Sequence, residues 1–188
     1  MASIISAGTT SGTALNLTGD TSGNLAFQTA AGANTITVPN VTGTLLTNKT
    51  AGTVLQVSQS LTQTQTSTSS TSYVSTSVNG SITPSSASNK ILVQVFLGTT
   101  YANASGATGI ITIYRNSTTD LAPTTRGFVL ATYTDNMPVS FSYLDSPSST
   151  SSTTYTVYIK AGSSTFNIGG TNGGIAVSNS ITLMEIAG

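Results

Sequence analysis

The sequence predicts an all-β protein, an N-terminal short-strand β-shaft followed by a jelly-roll-like β-sandwich, and three observations carry that prediction. Apolar side chains recur with period two in short runs along the chain. Clusters of Gly, Asn, Asp, Pro and Ser separate these runs. No stretch shows a sustained 3.6-residue apolar period bounded by helix caps.

Two regions differ in texture, giving expected boundaries of 1–50 for an attachment segment and 51–188 for a head. From Gly12 to Thr47 the apolar residues come as the pairs Leu15/Leu17, Leu25/Phe27, Ile36/Val38 and Leu45/Leu46. Between them lie TGDTSGN, TAAGAN and PNVTG, whose Gly, Asn and Asp tolerate positive φ. Strands this short bury little surface by themselves and become stable by stacking on neighbours or on other chains. The segment reads as an intertwined β-shaft, or as a flexible arm in which the alternation is fortuitous.

The second region offers candidate strands at 53–59, 71–78, 90–97, 109–115, 127–134, 138–145, 153–160, 164–168 and 179–186. Alternation is plain in several of them. Ile91, Val93, Val95 and Leu97 share one face, as do Tyr155, Val157 and Ile159. The connections NGS, TPSSASN, NMP and SPSSTSS carry turn chemistry. Eight or nine strands in a region of this length suit a sandwich, with a jelly roll the favoured topology and an immunoglobulin-like sandwich the alternative. The strand at 90–97 is apolar on both faces, since Leu92 and Phe96 oppose the Ile/Val face. Its second face calls for a cover, either a subunit interface or a long loop.

Composition narrows the function. The chain has 188 residues, of which 5% are charged and 37% hydrophobic, with five basic and five acidic side chains and a net charge of zero. Ser and Thr fill roughly a third of it, where charged residues alone usually take about a quarter. Disorder demands low hydrophobicity and high net charge, and this chain has neither. A neutral surface favours association, so the composition points to a protein that works packed against its own copies.

The basic residues Lys49, Lys90, Arg115, Arg126 and Lys160 are scattered, so no basic face is expected to bind nucleic acid. The start, MASIISAG, lacks the charged n-region of a signal peptide. ILVQVFLG at 91–98 is far shorter than the roughly 20 residues of a membrane helix, so no membrane insertion is expected.

Several ordered motifs carry a resemblance. GTVLQV at 52–57, STSSTSYVSTSV at 67–78, SITPSSASNKILVQV at 81–95, YLDSPSSTSSTTYTVYIK at 143–160 and SITLMEIAG at 180–188 follow one another in the chain. Together they resemble a C-terminal domain of phage tail-fibre and virion structural proteins, and the resemblance covers residues 51–188. The stretch from Ser11 to Thr47 resembles the repetitive shafts that precede such domains. The resemblance implies a virion protein, made in the host cytoplasm, that forms a homotrimer and joins another virion protein through residues 1–50. Its role would be a short tail fibre adhering to a host surface glycan or protein. The alternative is a capsid decoration or head-fibre protein. The chain departs from the long fibres in having no extended coiled coil or collagen-like rod.

The residues argue against chemistry. There is no histidine and no cysteine, which removes Ser-His-Asp and Cys-His arrangements, disulfides and the commonest metal ligands. No phosphate-cradling GxxxxGK[ST] or GxGxxG is present, and IGGTNGGI reads as a turn. No catalytic residue, cofactor or metal is therefore assigned. A small polysaccharide depolymerase needs only carboxylates, drawn here from Asp20, Asp120, Asp135, Asp145 and Glu185. Asp20, Asp120 and Asp135 read as turn or loop residues, and Asp145 closes a strand before SPSS, at a usual turn position. Glu185 is expected to face solvent or to pair with a cation. GDTSGN at 19–24 offers too few carboxylates for calcium. Tyr101, Tyr114, Tyr133, Tyr143 and Tyr158 lie in or beside strands, where a tyrosine is either a core residue or a ring for a sugar to stack on. In the loops 99–108 and 116–126, Tyr101, Asn103, Asp120 and Arg126 are the candidate receptor-facing residues.

Overall fold

The computed structural model describes residues 25–28, 35–38, 51–122, 124–132, 134–172 and 175–188. The chain divides into two compact units, Met1–Thr47 and Asn48–Gly188. In the first, β1 (Leu25–Gln28) and β2 (Thr35–Val38) pair antiparallel. Leu25 stands opposite Val38 and Phe27 opposite Ile36, so two of the alternating pairs fall in register. The pairs Leu15/Leu17 and Leu45/Leu46, with Asp20 and Asn24, lie outside the described residues.

The second unit is all-β, with no helix among its described residues. One antiparallel sheet runs from β3 (Val54–Thr62) to β15 (Asn179–Ile186), β6 (Lys90–Ala102) and β10 (Met137–Asp145). At the far end of β6 it also takes in β12 (Phe166–Ile168) and β4 (Thr66–Thr68). The other sheet runs from β5 (Val74–Ile82) to β11 (Thr153–Ala161) and β7 (Gly109–Arg115). Both β9 (Val129–Ala131) and β8 (Thr119–Asp120) lie on the far edge of β7. A small separate pair, β13 (Gly170–Asn172) with β14 (Ile175–Val177), occupies the IGGTNGGI segment that reads as a turn. Its glycine-rich residues carry no alternation to announce a strand.

Alternation decides what each sheet buries. Ile91, Val93, Val95 and Leu97 of β6 meet Ile181 and Leu183 of β15, Tyr155, Val157 and Ile159 of β11 and Ile111 and Ile113 of β7 in one core. All are at most 1% exposed. Burying each such aliphatic side chain is worth about 1.5–3 kcal/mol relative to exposure. Two glycines show how closely the layers approach. A Cβ on Gly80 of β5 would lie 3.3 Å from Ile181 Cγ2 across the interior, and one on Gly109 of β7 would overlap the ring of Phe166. Phe128, just before β9, stacks on Phe141 of β10 with centroids 5.5 Å apart, and its ring lies 5.2 Å from that of Tyr143. This closes the core between the two sheets on that side.

Strand limits differ from the sequence reading where burial and apolar alternation part company. Among the described residues of the expected strand at 127–134, pairing covers only Val129–Ala131, and β6 continues past 97 to Ala102. The polar β4 and the two-residue β8 have no apolar pattern to reveal them.

Candidate functional site

Two carboxylates lie in one inward-facing row, on either side of Ile91: Glu185 on β15 and Asp145 on β10. Glu185 is fully buried, contrary to the expectation that it faces solvent or a cation. The TPSSASN connection folds over it and supplies neutral donors. Glu185 Oε1 accepts from Asn89 Nδ2 at 2.6 Å, Ser85 N at 2.6 Å and Ser85 Oγ at 2.8 Å. Gln56 Nε2 donates to Oε2 at 2.6 Å. Burial alone would raise the pKa of this carboxyl, but the hydrogen bonds from Asn89, Gln56 and Ser85 outweigh it and hold it below the ordinary value of 4.5. A general acid needs the opposite shift. A concavity of about 710 Å³ opens beside this knot, but Gln56, Ser85 and Asn89 on its wall already donate to Glu185.

Asp145 closes β10, as the sequence reading has it, but this strand end is buried, with Asp145 only 5% exposed. Arg115 Nη1 reaches both of its oxygens at 2.8 Å, and Tyr155 Oη donates to Oδ2 at 2.7 Å. Burial first, then the bond to Asp145, pushes the Tyr155 hydroxyl up, so it remains a donor. Asp120 accepts from Thr112 Oγ1 at 2.5 Å and from the backbone N of Ala122 at 3.0 Å. Asp135 is exposed in its loop.

The four candidate receptor-facing residues do not form one cluster. Tyr101 and Asn103 gather around Asn167 of β12. Its Nδ2 donates to Asn103 Oδ1 at 2.9 Å and to the Tyr101 carbonyl at 3.5 Å, while Gln65 Nε2 donates to Tyr101 Oη at 3.0 Å. Asp120 is in register with Tyr114, at the opposite end of β7 from the 103–108 loop. Arg126 is exposed in the segment that leads to β9.

Tyrosines line the outer face of the second sheet. The rings of Tyr114 and Tyr158 lie 4.3 Å apart, and Tyr73 meets Tyr114 edge-on at 5.8 Å. Lys160 Nζ sits 4.3 Å above the Tyr73 ring. The Tyr73 hydroxyl is buried without a hydrogen-bond partner among the described residues. Burial, then Asp120 and Tyr114, pushes its pKa up to about 12. These rings are engaged with one another and with Lys160. Tyr143 packs against the core, and Tyr133 lies outside the described residues.

The outer face of the first sheet has a different character. Register aligns Val57, Met184, Leu92 and Leu144 in one row across all four strands. Next comes Gln59, Thr182, Gln94 and Ser142, and then Leu61, Ser180, Phe96 and Ser140. A shallow concavity of about 420 Å³ surrounds Phe96, between Gln94, Ser140, Ser142 and Thr182. The sequence signalled this face only through Leu92 and Phe96. Val57, Leu61, Leu144 and Met184 lie on three other strands, and pairing alone brings them alongside. No family model and no curated protein matches this sequence.

Proposed function

We propose that this chain is a structural subunit of a bacteriophage particle. It is a short trimeric fibre whose jelly-roll head adheres to a host-surface glycan or protein and whose first 50 residues form the attachment shaft. The observation that carries this reading is the nesting of the strand pairs. Taken in chain order, β3, β5, β6, β7, β9, β10, β11 and β15 pair first with eighth, second with seventh, third with sixth and fourth with fifth. That pattern is one long hairpin rolled into two sheets, as a jelly roll requires. It favours this topology over the immunoglobulin-like alternative.

The motifs behind the resemblance support the same reading because they meet in space. Ser85 and Asn89 of SITPSSASNKILVQV hold Glu185 of SITLMEIAG. Gln56 of GTVLQV donates to the same carboxylate, and β11 of YLDSPSSTSSTTYTVYIK pairs with β5 of STSSTSYVSTSV. The motifs thus belong to one module rather than to separate segments. Adhesion in such a head rests on shape and on hydrogen bonds from its many Ser and Thr hydroxyls, since so few charges are present to steer a partner.

Gold labelling of intact particles with an antibody against residues 51–188 tests this. Label at the tail tip is the expected result. Regular label over the head would replace adhesion with capsid decoration, and unlabelled particles would overturn the virion reading altogether.

A further inference from the structure

We infer that the outer face of the β3–β15–β6–β10 sheet is the surface through which copies of this chain meet. This inference rests on the trimeric reading above and assigns that contact to named residues. The face carries an aliphatic row, Val57, Met184, Leu92 and Leu144, and a second apolar strip at Leu61 and Phe96. Val57 is 59% exposed, Leu61 68%, Phe96 46% and Leu144 47%. Isolated exposed aliphatics are ordinary, but a contiguous patch marks an interaction site.

Three features select a second copy as the occupant. The first is charge. None of the side chains in the three rows is charged, and the nearest charge in register is Lys90, opposite Ile186 at one end of the face. An acidic or basic partner finds nothing complementary here. Two copies of a chain with zero net charge meet without repulsion.

The second is the polar row between the apolar strips. Gln59, Gln94, Thr182 and Ser142 all carry groups that both donate and accept hydrogen bonds. Gathered around a three-fold axis, such rows hydrogen-bond to one another without burying like charges, which rows of acids or bases cannot do.

The third is area. Four strands about 4.8 Å apart and about nine residues long, at roughly 3.4 Å per residue, make a face of about 19 by 30 Å. That is near 600 Å² in projection, comparable with the roughly 800 Å² that each partner contributes to a stable interface. The outer face of the second sheet does not share these properties, because its tyrosines pack on one another and Lys160 and Asp120 bring charge to it.

Native mass spectrometry of the full chain tests the assignment. The wild type is expected to be a trimer at tens of micromolar. The Val57→Glu/Leu144→Glu double variant, altered at two exposed positions of the aliphatic row, is expected to dissociate at concentrations at least ten-fold higher. Ser75→Glu, exposed on the other sheet, is expected to remain trimeric. A trimer that persists unchanged in the double variant would overturn the face while leaving the trimer intact. A dimer lost in the double variant would support the face and overturn the trimer. A monomeric wild type would overturn both.

Cross-linking supplies a second readout that does not depend on the double variant folding. The sequence has no cysteine, so Gln94→Cys introduces a single thiol in the central row. Mild oxidation is expected to give disulfide-linked pairs on a denaturing gel for Gln94→Cys and none for Ser75→Cys. Equal cross-linking of the two would overturn the assignment.

Discussion

Glu185 and Asp145 occupy equivalent places on either side of Ile91, facing the same core, and the protein keeps each carboxylate buried by a different means. Glu185 has no cation among its hydrogen-bonding partners. It is held by two side-chain amides, a hydroxyl and a backbone N–H. Asp145 has a guanidinium and a phenol. The neutral cage ties together β3, the 83–89 connection and β15 through many weak dipoles. The ion pair ties β10 to β7 through one strong partner, and the Tyr155 phenol adds β11. A cage loses its members one at a time, whereas an ion pair that loses its cation leaves a bare buried charge.

The largest expected effect therefore lies on the Asp145 side. Arg115→Met keeps the length of the side chain and removes the charge, leaving Asp145 with Tyr155 as its remaining side-chain donor. Breaking one partner of a buried pair costs about 3–5 kcal/mol, read as a fall in the urea midpoint at neutral pH. A midpoint within experimental error of wild type would mean that water already compensates Asp145. Glu185→Gln is expected to cost less, about 2 kcal/mol. It sets an amide NH₂ among groups that are all donors, yet keeps one acceptor for them.

Acid sharpens the contrast. The pKa of Glu185 is lowered in the folded state, so its contribution is fully present above the ordinary carboxyl value of 4.5 and is lost as pH falls through the lower folded value. Urea midpoints measured from pH 7 to pH 3 should fall more steeply for wild type than for Glu185→Gln, and the two should converge in acid. Parallel curves would show that the cage does not favour the ionised form.

How much of this was legible in the sequence follows from the physics of each signal. Period-two alternation located β3, β6, β7, β10, β11 and β15, because each has one face in the core and one outside it. The same signal missed β4, whose buried residue is the polar Thr68, and β8, whose two residues are exposed. Glu185 was misread because its donors lie 96 to 129 residues away along the chain, and nothing local distinguishes a caged acid from a solvated one. Asp145 closes its strand as read, but its burial and its partner were hidden for a related reason. A strand-ending Asp before Ser-Pro has the signature of a turn, while Arg115, 30 residues earlier, carries no mark of being its partner. The apolar outer face was half visible, since Leu92 and Phe96 alternate within one strand, but Val57, Met184 and Leu144 join them only through strand register. Sequence reports what one strand buries, and pairing decides what several strands present together.

The smallest effect probes the phenol rather than the charges. Tyr155→Phe removes one donor from Asp145 Oδ2 but leaves Arg115 in place, so the expected loss at pH 8 is about 1 kcal/mol. Alkali should then change the comparison. Burial and the bond to Asp145 raise the Tyr155 phenol above its ordinary value of 10.0. The contribution of a group raised in this way is fully present below the unfolded pKa and is lost as pH climbs toward the folded one. The wild type carries that loss and the phenylalanine variant does not. The gap between their urea midpoints should narrow from pH 8 to pH 11, and at the upper end the variant can overtake the wild type. A constant gap would mean that the hydroxyl ionises as freely in the fold as outside it, and so that the core around Asp145 admits water.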